Sequence, residues 1–518
     1  MSFSPLCTYL VIAYSIKNIK HNYIFAFQYR LLTTRHVVSR LVTQSKYREH
    51  YSPRKGQPMI IKNRATLLSH GNIDGRRCVL DILEAGIATA DPYENTRKLL
   101  KLEGDIFSVG NESSDAGIQV YDLKKIKHIY VVGGGKAVHG QAKAFEDVLG
   151  DRITEGHINI KKGENVELTR IGVSLAGHPL PDRDSVEGGK KIYEILLKAG
   201  EGDLVFWLRS GGGTSLLSLP VEGVTLEDLV QVSRILYFGG GATMPEINVI
   251  RNLISVLGLK HAKYVHGAVL FEFLVDEIPG GMMGHDYMRS PGNVDPYQRA
   301  REICDKYGVW DKIPQSVRSL ILKADPKHLP PTKAELTMRP FHNYKVIDPH
   351  TMLAAAINKA RELGLNATIL ATSLNDVPAK STGEILAEIA REIELFGRPL
   401  LPPCVFICGG EVVVAVGNET GIGGRNQELV LSAATRIAGS KNIVIGSADS
   451  DGTDGPTNIA GGIVDGLTME RVREAGFDIN QELARHNTSP VLKALGDDII
   501  IGNTGTNLRD LRVVYVGK

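Results

Sequence analysis

A short β-branched run, Ile126–Val132, ends in Gly133-Gly134-Gly135 and passes at once into a helical pattern over Lys136–Leu149. Strand, glycine turn and helix in that order make a βα unit, and a strand that feeds a crossover helix pairs with its neighbour in parallel. The unit recurs. Gly172–Leu175 precedes a helical stretch over Asp184–Lys198, Asp203–Leu208 runs into Ser210-Gly211-Gly212-Gly213, and Ala268–Val275 runs into Ile278-Pro279-Gly280-Gly281. Repetition of this kind predicts an α/β fold whose first sheet is mostly parallel, with helices on both faces. Two helices are expected ahead of it, between Leu67 and Leu100.

A second α/β region follows. Lys345–Ile347, Ala367–Thr372, Cys404–Cys408, Val412–Val416 and Ile443–Ile445 read as strands, and Met352–Leu363, Thr382–Phe396 and Asn426–Ala438 as helices. The proline-broken, charged stretch between them places an interdomain crossing at 313–340, separating an N-terminal domain over 59–312 from a smaller C-terminal domain over 341–518. At 518 residues the chain exceeds what one hydrophobic core commonly supports, which agrees with two large domains. Residues 1–58 read as an extension without function, either disordered or an overextended start ahead of Met59. An organellar transit peptide is the alternative, because nine Lys/Arg stand there against the single acid Glu49. That segment's +8 hides a net −6 in the remainder under the formal +2 of the whole chain. A mildly acidic body lacks the basic face of a nucleic-acid binder. The apolar stretch Leu6–Ile16 is about half the roughly 20 residues a bilayer span requires, so no membrane partner is expected. Five cysteines without paired spacing predict free thiols and the cytoplasm, with Cys404 and Cys408 on one buried strand face.

Ligands of an open α/β sheet gather at the carboxyl ends of its strands, and this chain puts its glycines there. Gly133, Gly134 and Gly135 with Lys136 suit an anionic ligand or, alternatively, a tight structural turn. Val138 departs from the dinucleotide fingerprint and Ala137 from the Walker A loop. Ser210, Gly211, Gly212, Gly213, Thr214 and Ser215 form a stronger anion-cradling candidate. Gly423 and Gly424 open a helix that carries Arg425 in its first turn, a place for a phosphate. Asp449, Asp451 and Asp454 lie in a glycine-broken loop able to hold Mg²⁺, or serve as solvated turn acids. His178 reads as a base, a substrate contact or a structural histidine.

Taken together, GGGKA at Gly133–Ala137, GHPLPD at Gly177–Asp182, SGGGTSLL at Ser210–Leu217, GGRNQE at Gly423–Glu428, SDGTDGPT at Ser450–Thr457 and TGTNLRDL at Thr504–Leu511 resemble the class II glycerate 2-kinases. Those enzymes join a DUF4147-type N-terminal domain to a C-terminal MOFRL domain, here about 402–516. The resemblance implies a Rossmann-like first domain, an active site in the cleft between the domains, and Lys136 and Arg425 as its principal catalytic cations. It implies ATP and Mg²⁺ as cosubstrates, D-glycerate as acceptor and 2-phosphoglycerate as product, with small molecules as the partners; a homo-oligomer is compatible. The family's EIN-x-VRKHLS element maps on Glu246, Asn248 and Arg251, which with His178 become candidates for contact with the acid. Asn252 stands where that element has lysine, and Val275–Gly281 and Ser290–Asn293 are altered, so the donor is better specified than the acceptor. The base is open among Asp449, Asp451, Asp454 and His178. Two other readings are a hydroxypyruvate reductase using a nicotinamide cofactor and a non-catalytic sugar-acid or nucleotide binder.

Overall fold

The computed structural model describes residues 60–239, 241–277, 295–417 and 419–518. The extension over 1–58, the turn 278–281 and the element 290–293 lie outside the described residues.

Strands β1 (Leu100–Glu103), β2 (Ile106–Val109) and β3 (Gln119–Asp122) form a small antiparallel meander. Next come β4 (Ile129–Gly134), β5 (Glu155–Lys161), β6 (Gly172–Ala176), β7 (Leu204–Arg209), β8 (Val269–Val275) and β9 (Phe341–Ile347), a sheet of order β6-β5-β4-β7-β8-β9. Every neighbour in it is parallel. The chain therefore winds outward from β4 in one direction and outward from β7 in the other, which makes the crevice beyond their carboxyl ends the topological switch point. β4 is buried along its whole length, and its side chains alternate between two cores: Ile129 and Val131 pack with Phe145 and Phe206, Tyr130 and Val132 with Ile192 and Leu196. Burial on both faces is why these strands are continuously apolar in sequence.

The second sheet contains β10 (Asn366–Ala371), β11 (Cys404–Gly410), β12 (Ile443–Asp449), β13 (Gly461–Asp465), β14 (Asp498–Ile499) and β15 (Asp510–Val516) in the order β10-β11-β15-β12-β13-β14. The last strand inserts between β11 and β12, antiparallel to both. Period-two alternation sorts β11: Val405 and Ile407 enter one core, Cys404, Phe406 and Cys408 the other.

Three expectations are corrected here. Val412–Val416 is no strand, and only Val413 makes an isolated bridge, to Pro378. Both flanks of β11 are already taken by β10 and β15, which leaves the following apolar residues no edge to join. Lys345–Ile347, read as the first strand of the C-terminal domain, is instead the end of β9 on the first sheet. Finally, 313–340 is not where the two sheets divide the chain. The helix Ile73–Ala88 packs with the helix Pro349–Glu362 on the second sheet, sharing a core with Val405, Ile407 and Val513, so among the described residues the chain runs from that sheet to the first and returns after β9. Within 313–340 the helix Gln315–Lys323 sends Val317 and Ile321 into a helical appendage built on Leu229, Ile247 and Ile250.

Candidate active site

The glycine loops after β4 and β7 meet at the switch point. Ser210 Oγ accepts the Ala137 N–H at 2.9 Å, Gly211 O accepts the Lys136 N–H at 2.9 Å, and Asn159 O accepts the Gly135 N–H at 3.1 Å. Gly135 has φ +151°, and a Cβ there would fall 2.2 Å from Ser210 Oγ, so the close approach of the loops requires glycine. The loop after β6 joins them: Ser215 Oγ donates to Gly177 O at 3.0 Å, and the His178 ring lies 3.0 Å from the position a Gly212 Cβ would take, with Lys136 Cγ 3.3 Å from it. Gly133, Gly134, Gly135, Lys136, His178 and Ser210–Ser215 thus form one cluster. Thr214 Oγ1 donates to Asn248 Oδ1 at 3.0 Å, and Arg251 Nη2 donates to Pro179 O at 3.1 Å, so Asn248 and Arg251 adjoin that cluster. Glu246 does not. Its carboxylate caps its own helix at the Thr243 N–H and takes hydrogen bonds from Lys306 Nζ at 2.7 Å and Tyr307 Oη at 2.8 Å, turning it to the helical appendage. Against the upward push of burial, those two partners hold the carboxyl down at about 2.

The loops of the second sheet face these. Burial opposes the charge of Lys136, but Glu277, Asp451, Asp449 and Glu411 together raise its pKa above the ordinary lysine value. Glu277 follows β8 of the first sheet, whereas Glu411 follows β11, Asp449 ends β12 and Asp451 follows it, so Lys136 stands between the two sets of loops. His178 is the counterpart: burial, then Lys136, pushes it down to about 3, and the imidazole stays neutral.

Arg425 begins the helix Arg425–Ile437, as the sequence predicts, yet three carboxylates hold its guanidinium. Nη2 pairs with Asp449, Nε with Asp510 at 3.0 Å and Nη1 with Glu411 at 3.3 Å. Sheet register brings them there, since Gly410 and Asp449 both pair with Asp510. The helix N-terminus expected to cradle a phosphate is filled by the chain itself: Asp454 accepts the Asn426 and Gln427 N–H groups at 3.0 Å each. Exposed N–H groups and a positive helix end attract any anion, and here the nearest is a buried carboxylate. Gly424 and Gly423 let this happen, because a Cβ on Gly424 would fall 2.3 Å from Asp454 Cγ and one on Gly423 2.2 Å from Thr488 Oγ1.

The three aspartates therefore do not share one metal position. Asp449 is tied to Arg425 and Asp454 to the helix, while Asp451 accepts from the Thr453 N–H and hydroxyl. Among the described residues, no group of three or more His, Cys, Asp or Glu side chains is arranged to hold a metal ion. Glu277, Arg509 and Asp510 were missed as individual site residues, although all three sit in motifs the sequence reading had marked. Arg509 holds a left-handed φ of +67° and donates to Asn375 Oδ1 at 2.9 Å. A non-glycine residue in that region costs roughly 1–2 kcal/mol, and such conformations concentrate at functional sites.

Comparison with known proteins places this architecture. A family model described as a domain of unknown function, DUF4147, matches residues 78–322, and the MOFRL family model matches 404–510. A glycerate 2-kinase from Pyrococcus horikoshii is 36% identical over 447 residues, covering 86% of this chain and 98% of its own. The chain belongs to the glycerate 2-kinase family. A D-glycerate 2-kinase from Thermotoga maritima is 37% identical over 393 residues, covering 74% of this chain and 90% of its own. A crystal structure of glycerate kinase from the same organism superposes with a TM-score of 0.68 at 32% identity, over 84% of this chain and 97% of that one. No helix among the described residues is long and apolar enough to cross a membrane.

Proposed function

We propose that this chain transfers the γ-phosphoryl group of ATP to the 2-hydroxyl of D-glycerate, giving 2-phosphoglycerate, with catalysis in the space between the loops of the two sheets. The observation that carries the reading is the convergence of Lys136, the Ser210–Ser215 loop and His178 at the switch point of a parallel sheet. Phosphoryl transfer asks chiefly for positioning and charge neutralisation, which glycine loops and a charged lysine supply. The neutral His178 ring offers the acid a hydrogen bond rather than a charge. Arg425 acts as a rigid cation whose three carboxylate partners fix its direction. Mg²⁺ would enter with the nucleotide and neutralise phosphate charge, in keeping with its preference for few carboxylates and retained water. The free thiols Cys78, Cys304, Cys404 and Cys408 support work in a reducing compartment, the cytoplasm.

A coupled ADP-release assay on the full chain with ATP, Mg²⁺ and D-glycerate, product position being read by enolase coupling, tests this. Turnover to 2-phosphoglycerate that falls at least 100-fold in a folded Lys136→Ala variant is the expected result. The first sheet's strand order is also that of dinucleotide-binding folds, so NADH oxidation with hydroxypyruvate is the second arm. Reductase turnover without ADP release would replace the kinase by the oxidoreductase reading.

A further inference from the structure

Resting on the kinase reading above, we propose that Glu277 is the catalytic base that takes the proton from the acceptor hydroxyl. Glu277 follows β8, the strand beside β7, and its Oε1 lies 1.4 Å from the position a Cβ on Gly211 would occupy. Only glycine at 211 leaves room for it. Gly211 O receives the Lys136 N–H, and the next residue, Gly212, lies under the His178 ring and Lys136 Cγ, so this carboxylate stands among the loops that form the cluster.

Most of the other carboxylates there are committed. Asp449 pairs with Arg425, Asp454 caps the helix at Asn426 and Gln427, Asp510 bridges Arg425 and Arg512, Glu411 lies between Arg425 and Arg509, and Asp451 folds back on Thr453. Glu277 has no hydrogen bond or ion pair to a described residue; Glu164, which follows β5 and also acts on Lys136, is uncommitted as well and pushed up to about 7 by burial, but it is Glu277 that packs against Gly211 in the cluster. It is half-buried, and so enclosed yet reachable from solvent. Desolvation pushes its carboxyl up to about 7, opposed by Lys136 and Arg509 and reinforced by Glu411 and Asp451. A base whose pKa lies near the working pH combines adequate ionisation with adequate proton affinity, whereas His178 at about 3 binds protons too weakly.

In the step, the proton passes from O2 to a Glu277 carboxylate oxygen as the bond between O2 and the γ-phosphorus forms. The bond from that phosphorus to the β–γ bridging oxygen breaks, and ADP leaves with its electron pair. The protonated Glu277 then releases its proton to water, which balances the net release of one proton.

The test is the kcat–pH profile of the full chain in the ADP-release assay, for the wild type, Glu277→Gln and Glu277→Asp. In Glu277→Gln we expect kcat to fall about 100-fold or more, with KM for both substrates little changed and the acid limb near pH 7 abolished. Glu277→Asp, with a shorter stem, keeps that limb and part of the rate. Gly211→Ala, which pushes a methyl group into the carboxylate, loses kcat in the same way and serves where Glu277→Gln fails to fold. A wild type that phosphorylates D-glycerate, accompanied by a Glu277→Gln variant of equal kcat and unchanged profile, overturns the base alone. A wild type without turnover of D-glycerate overturns the kinase reading and the base with it.

Discussion

His178 and Glu246 show how the same kind of side chain prediction separates once neighbours are in place. An unfolded histidine titrates near 6.5, whereas burial and Lys136 bring His178 to about 3. Between those values the unfolded chain binds the extra proton, so the contribution of His178 to stability is whole above about pH 6.5 and declines as the pH falls, by up to about 1.4 kcal/mol per pH unit. Urea melts of the wild type and His178→Gln at pH 7.5 and pH 5 measure it, and we expect the variant to lose less on acidification. Equal losses would place His178 in contact with water. Glu246 is the opposite case: Lys306 and Tyr307 favour its ionised form, so its contribution is present above the unfolded carboxylate range and disappears as the pH falls towards 2. Glu246→Gln should lower stability by about 1–2 kcal/mol and leave KM for the acid unchanged; a large rise in KM would return Glu246 to the substrate site. The sequence marked both residues, but as one class of candidate. Spacing along a chain carries no information on which face of the helix Met244–Ile254 meets the loops and which meets the appendage.

Elements were legible wherever local pattern and final packing agreed. The βα units of the first sheet were, because a strand buried on both faces must be apolar throughout and its turn must be glycine where backbones nearly touch. Val412–Val416 was not, because the same apolar run makes a strand only if a sheet edge is free, and β15, about a hundred residues later in the chain, takes that place. The helix Arg425–Ile437 was legible in its start and misread in its occupant. Asp454 fills its N-terminus, so Asp454→Ala, which leaves the Asn426 and Gln427 N–H groups without an acceptor, should lower stability by about 1–2 kcal/mol in a thermal or urea melt. If the variant is instead as stable as the wild type and binds ATP more tightly, the N-terminus is a nucleotide site after all.

Across the whole molecule the N-terminal helix and the second sheet form one body. Arg76, fully buried in the helix Ile73–Ala88, pairs with Asp465 on β13 and with Asp497 at 2.7 Å. Removing one side of a buried pair leaves charge uncompensated in a medium that solvates it poorly. Arg76→Ala should therefore cost about 3–5 kcal/mol and destabilise the second sheet with the helix, measured as a shift of the unfolding transition followed by a probe on β13. A transition in which only the N-terminal helix is lost would show that the body is held by apolar contacts alone. By itself the sequence determined the α/β class, the positions of the glycine loops, the buried strand face of Cys404 and Cys408 and the family, since each of these follows from local periodicity, turn chemistry or motif order. Only the tertiary structure decided that β9 closes the first sheet, that the helix Ile73–Ala88 belongs to the second, that Arg425 and Asp454 are engaged by their own chain, and that Glu277 packs against Gly211 with no partner among the described residues. These depend on which distant segments share an edge or a cleft, and that choice is made by the competition among all the strands and charges for partners, not by any segment alone.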